Sequence, residues 1–175
     1  MIATEGVFLN GASAWYPRFE GSELVSFALE VRLPKAWDTV SQGARTRHDM
    51  DGEMRVVRWE EQHPQDEIYL LAAPFTETTQ TTDGMLAMVF LRTADESLAR
   101  TYLDATVRYT NMYSQLLGPY PYAKFALVEN FWETGFGMPS FTLLGSKVLR
   151  LPFIVNSSYP HEILHNWWGN GVYVD

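Results

Sequence analysis

The residues of this chain best suited to chemistry lie in one short run, His161-Glu162-Ile163-Leu164-His165. A four-residue step on an α-helix puts both imidazoles on one face, about one turn apart, close enough to share a metal ion. Glu162 lies one step round, near the same open side. In the H-E-x-x-H arrangement the two histidines bind zinc and the glutamate takes a proton from the water that the metal acidifies. Zinc brings the pKa of such a water to about 7. The glutamate can then hand the proton to a leaving amine. The competing reading is an amphipathic helix that happens to carry two His and a Glu. Ile163 and Leu164 suit a buried helix on either reading, and Pro160 is tolerated in a first turn.

A catalytic zinc also needs a third protein ligand. Only ten residues follow His165, and the sole acid among them is Asp175. The other histidines sit in polar surroundings, His48 in Arg45-Thr46-Arg47-His48-Asp49 and His63 in Glu60-Glu61-Gln62-His63-Pro64. Both segments read as solvated, and neither is assigned to metal. Asp49-Met50-Asp51-Gly52 lacks the ligand ladder of a calcium loop. The absence of cysteine rules out disulfides and thiolate metal sites.

The elements that must position the trio can be read from patterning. Val25, Phe27, Leu29, Val31 and Leu33 alternate with Ser26, Ala28, Glu30 and Arg32, a period of two that predicts a strand with one buried face, stopped by Pro34. Further strands are expected near 54–59, 67–73 and 85–91, with Thr76 to Gly84 as a polar loop between the last two. Thr93-Ala94-Asp95-Glu96 has the form of a capping box. Behind it Leu98, Tyr102, Ala105, Tyr109, Met112 and Leu116 recur at helical steps, until Gly118 and Pro119 end the helix. Residues 124–128 and 141–150 read as strands. A second helix is expected to begin near Ser158 and to cover 159–168. The fold class is therefore α+β, with a β-rich region over 1–92 and an α/β region over 93–175.

With 46% apolar and 19% charged residues the chain can pack a core. A net charge of -8, with 13 scattered basic residues, argues against a nucleic-acid partner. No stretch approaches a membrane span, and the first residues do not form a secretory signal, so no membrane partner is expected and the chain reads as soluble. Its compartment is not readable. Asn156-Ser157-Ser158 matches a glycosylation acceptor, with an ordinary helix-entry loop as the alternative.

The run over 161–170, His-Glu-Ile-Leu-His-Asn-Trp-Trp-Gly-Asn, resembles the active-site helix of the M1 family of zinc aminopeptidases (gluzincins), which reads His-Glu-x-x-His-x-Trp-Phe-Gly-Asn there. Leu117-Gly118-Pro119-Tyr120-Pro121-Tyr122-Ala123-Lys124-Phe125 resembles that family's approach to its catalytic sheet. The resemblance implies His161 and His165 as zinc ligands and Glu162 as general base. It also implies that 1–92 is the end of a saddle-like N-terminal domain and 93–175 the first part of a thermolysin-like peptidase domain. The family's third ligand, a Glu, and its catalytic Tyr fall past residue 175, so the chain looks like a fragment.

One local departure concerns the substrate. The family carries Gly-x-Met-Glu-Asn ahead of the zinc helix, and its Glu holds the α-amino group of the substrate. The corresponding residues are Gly135-Phe136-Gly137-Met138-Pro139-Ser140, with no Glu. Gly135, Phe136, Gly137 and Met138 are assigned to peptide binding through strand backbone, and a plain Gly/Pro turn is the alternative. Glu129 and Glu133 are the nearest acids that could hold an amine, or they are solvated surface groups. Three functions stay open. These are a zinc-dependent peptidase, a non-catalytic peptide- or protein-binding module on a decayed peptidase fold, and a zinc hydrolase acting on another bond. Taken alone, the chain is expected to be inactive and to self-associate through 150–170, where Phe153, Ile154, Ile163, Leu164, Trp167 and Trp168 would be left partly exposed.

Overall fold

The computed structural model of the chain describes residues 1–18, 24–82 and 84–172. The chain divides into two compact units, Met1–Phe75 and Thr76–Asp175. Among the described residues the first unit holds six strands: β1 (Val7–Leu9), β2 (Val25–Pro34), β3 (Asp38–Val40), β4 (Ala44–Asp51), β5 (Met54–Gln65) and β6 (Leu70–Ala73). They form two antiparallel three-stranded sheets, ordered β2-β5-β4 and β1-β6-β3. The period-two stretch is β2, and its odd residues are the more buried ones throughout. Trp59 of β5 is fully buried, and its indole N–H donates to Thr39 Oγ1 on β3 at 3.0 Å. The segment around His48, expected as solvated, is strand β4. It joins β5 through Gly52-Glu53, and Gly52 has φ 61°, the sign a tight primed hairpin turn requires.

The second unit holds β7 (Thr76–Thr82), β8 (Met85–Leu91), α1 (Glu96–Leu117), β9 (Lys124–Asn130), β10 (Gly135–Met138), β11 (Phe141–Gly145) and α2 (Ser158–Leu164). Its sheet is ordered β10-β11-β9-β8-β7. The pairs β8/β9 and β9/β11 are parallel, and the outer pairs are antiparallel. Parallel strands are covered on both faces and read as unbroken apolar runs. Ala87 to Leu91 and Phe125 to Val128 are such runs, and every residue of β9 is buried. The core sets Ala99, Tyr102, Leu103 and Ala105 of α1 against the sheet together with Tyr159, Ile163 and Trp167. Each large apolar side chain buried there contributes about 1.5–3 kcal/mol. The buried phenols find partners: Tyr102 donates to the Leu149 carbonyl at 2.7 Å, and Tyr159 pairs with Thr106 Oγ1 at 2.5 Å. Burial pushes the Tyr102 phenol up to about 12, and that of Tyr159 upward as well.

Several boundaries differ from the sequence reading, each for a local reason. Thr76–Thr82 is an edge strand, not a loop. Threonine favours the pleated backbone, and a strand half open to solvent needs no apolar alternation. Because β7 and β8 pair into the sheet of the second unit, the compact units meet at 75/76, while the expected change at 92/93 falls between β8 and α1. Helix α1 is capped by Asp95, whose side chain accepts from the Leu98 amide at 2.9 Å, and not by Thr93. Strand β11 stops at Gly145 and gives way to short 3-10 turns at Val148–Arg150 and Ile154–Asn156. Among the described residues no helix is long and apolar enough to cross a membrane.

Candidate metal centre

The histidine pair is carried by α2, which is shorter than its sequence predicts. The expected helix over 159–168 ends at Leu164, and residues 165–169 continue as turns. Asn166 is one reason. Its side-chain amide donates to the Ile163 carbonyl at 2.9 Å and to the Glu162 carbonyl at 3.4 Å, occupying acceptors that a longer helix would use. Gly169, with φ 97°, then lets the chain turn back so that the Asn170 amide reaches the His165 carbonyl at 3.0 Å.

His161 and His165 nonetheless face one side. Their Nε2 atoms stand 3.0 Å apart, with ring centroids at 4.5 Å and planes at 82°. His165 Nδ1 lies 3.2 Å from the carbonyl oxygen of Trp168, within the turn that ends the helix. A proton on Nδ1 donated to that carbonyl leaves Nε2 as a lone pair, and a second partner of this kind commonly sets the tautomer of a metal-binding histidine. Two nitrogens held by one tetrahedral zinc at about 2.0–2.1 Å would be roughly 3.3–3.4 Å apart. The observed pair is within a few tenths of an ångström of that spacing, so the two imidazoles fit a zinc ion.

Glu162 is half buried and leans against β10. A Cβ placed on Gly137 would stand 2.6 Å from Glu162 Oε2 and 3.2 Å from His165 Cδ2. Gly135–Met138 is indeed a strand, and it lies at one end of the sheet. It pairs with β11, and the Phe136 carbonyl accepts from Thr142 Oγ1 at 2.9 Å. Gly135 and Phe136 are exposed, Gly137 is half buried and Met138 is buried.

The acids named as possible amine holders have other work. Glu129 is 2% exposed and accepts from the Arg92 amide at 2.8 Å, Ser146 Oγ at 2.7 Å and Arg150 Nη1 at 2.7 Å. Burial alone would raise its carboxyl, but those three hydrogen bonds outweigh it and hold the group below the ordinary carboxylate value. Glu133 is exposed, and its carboxylate receives the Lys147 amide at 3.2 Å. His48 pairs with buried Asp38 at 2.8 Å, and His63 with buried Glu61 at 2.9 Å, both within the first unit. Asp175 lies outside the described residues.

Sequence reasoning missed the clamp behind the pair. Asn166 is fully buried, and its Oδ1 accepts from the Ser140 amide at 2.8 Å and from the Tyr120 hydroxyl at 3.3 Å. Ser140 turns the chain between β10 and β11 with φ 67°, and buried Lys124 donates to its carbonyl at 3.0 Å and to its Oγ at 2.7 Å. One asparagine thus joins the end of the histidine helix to the turn that follows β10. The only signal for it in the sequence is a polar residue among apolar neighbours directly after His165.

No family model matches the chain, and no curated protein matches it. Solved structures do share its fold. An M1 zinc metallopeptidase from Deinococcus radiodurans superposes with a TM-score of 0.62 at 17% identity, over 85% of this chain and 35% of that one. A two-domain M1 zinc metallopeptidase mutant bound to L-arginine superposes with a TM-score of 0.64 at 16% identity, over 86% of this chain and 36% of that one. The chain therefore spans about a third of the length of those structures, and what it shares with them is the fold.

Proposed function

We propose that this chain carries part of a zinc-dependent peptidase site, with His161 and His165 holding the metal and Glu162 moving the proton. The observation that carries the reading is the convergence of the two imidazole Nε2 atoms, 3.0 Å apart on a helix that also presents Glu162. The likeness of fold to M1 zinc metallopeptidases supports it. On this reading residues 93–175 are the first part of a thermolysin-like catalytic domain, and 1–92 the end of a saddle-like one.

A bound zinc would supply Lewis acidity and bring a water within range of deprotonation near neutral pH. Glu162 would be the group that accepts a proton from such a water and passes it to the departing amine. The Trp168 carbonyl holds His165 with its Nε2 lone pair facing His161. Among the described residues β10 is the last strand of its sheet, and the backbone of Gly135 and Gly137 would pair with an extended peptide along that edge. Phe136 and Met138 belong to the same lining, and a peptide is the partner. Glu129 is saturated with donors and β10 carries no carboxylate, so these residues do not select a free amino terminus.

The same lack of a carboxylate on β10 favours a second reading, a peptide-binding module without turnover. Zinc content and cleavage of a peptide panel by the full-length protein, with Glu162→Gln beside it, separate the two. Zinc near one per chain and cleavage that collapses in Glu162→Gln support the peptidase. Peptide binding without cleavage, or cleavage untouched by the substitution, would sink it.

A further inference from the structure

We infer that Gly137 is a positioning residue for Glu162, and that the space left by its missing side chain is the seat of the Glu162 carboxylate. The inference rests on the peptidase reading for its functional meaning, but its geometry stands alone. Glycine occurs where the backbone needs a positive φ or where another group must come close. Gly137 is not among the positive-φ glycines, which are Gly43, Gly52, Gly84, Gly118 and Gly169. It lies inside β10 in regular register with Thr142 of β11. Mid-strand glycine gives up packing and conformational entropy, so close approach is what remains to explain it.

What approaches is specific. A methyl group at Gly137 would meet Glu162 Oε2 at 2.6 Å and His165 Cδ2 at 3.2 Å. The first distance is impossible without movement, and the second is tight. On the same strand, a methyl at Gly135 would meet only Leu144 Cδ2, at 3.8 Å, an ordinary contact. The two glycines are therefore not equivalent. Gly135 leaves open surface, while Gly137 receives the base and one ring of the metal pair.

The helix is held where it is by the Asn166 clamp, so the conflict cannot be relieved by sliding α2 away from β10. The movable part is the end of the Glu162 side chain. Alanine at 137 should therefore leave the fold and the imidazole pair in place and turn the carboxylate aside. Proton transfer is sensitive to placement of this kind, because the base must lie within hydrogen-bond reach of the proton it takes.

The test is a double-mutant cycle read in two ways. In thermal unfolding of the metal-free chain, Gly137→Ala should lower Tm by on the order of 2–4 °C. The loss should largely vanish when Gly137→Ala is added to Glu162→Ala, where no carboxylate remains to be displaced. Gly135→Ala is the control for the strand and should show no coupling to Glu162→Ala. In the full-length protein Gly137→Ala should lower kcat about 100-fold, with KM and bound zinc near wild type. An equal Tm loss with and without Glu162, or an unchanged kcat beside an inactive Glu162→Gln, would overturn the assignment. If Glu162→Gln is itself fully active, the peptidase reading falls, and the unfolding cycle still decides whether Gly137 seats Glu162.

Discussion

At the scale of single residues, the proposed base and the clamp should separate cleanly. Glu162→Gln keeps the shape of the side chain but cannot accept a proton. In the full-length protein it should retain zinc and lose about 10²–10⁴-fold in turnover, as single-turnover kinetics and metal analysis would show. Asn166→Ala acts elsewhere. It leaves the buried Ser140 amide without its acceptor and frees the end of α2. A cost of about 1–3 kcal/mol is expected, read as a lower Tm, with the imidazole pair less well held. The trio itself was legible in the sequence because its spacing is its geometry: a four-residue step is one helical turn. Asn166 and Gly137 were not legible as partners of the site, because their roles depend on which strand and turn lie against the helix. No local pattern encodes that.

Among the elements, strand β9 is tied to the segment after β8 and to the turns after β11 by one carboxylate. Glu129 accepts from three donors in two segments, Arg92 after β8 and Ser146 and Arg150 after β11. Its carboxyl is held below the ordinary value, so its contribution is fully present above the unfolded carboxylate pKa of about 4.3 and is lost as pH falls through the lower folded value. Glu129→Gln should therefore unfold more readily than wild type at pH 7. The gap should narrow below about pH 4, and a gap that stays constant with pH would contradict this origin. The same scale shows what patterning can and cannot tell. β2 and the apolar strands β8 and β9 were readable, since burial on one face or on both leaves a hydrophobic signature. β4 and β7 were not, because each has polar residues on both faces and is held by pairing to β5 and β8.

For the whole molecule, the residues near the site decide how the isolated chain behaves. Among the described residues His161 and His165 supply half of a tetrahedral shell, so residues 1–175 should retain well under one zinc after dialysis and show no peptidase activity. The apolar patch expected over 150–170 is smaller than its sequence implies, since Ile154, Ile163 and Trp167 are buried. Phe153 and Trp168 remain 59% and 60% exposed, and self-association through them is the expected outcome, with a symmetric dimer the common form. Sedimentation should show concentration-dependent dimers that Trp168→Ser weakens, and a monomer at every concentration would refute this. The parallel pairing around β9 also has a consequence in time. Helix α1 can form from local contacts, but β9 cannot join β8 until the whole of α1 has been spanned, and its other neighbour, β11, is parallel too. Closing that loop costs entropy before any contact rewards it, which slows folding. In pulsed hydrogen exchange during refolding, amides of α1 should gain protection early and those of β9 late. Once formed, β9 should be the last segment to release its protons, opening only when the second unit unfolds as a whole.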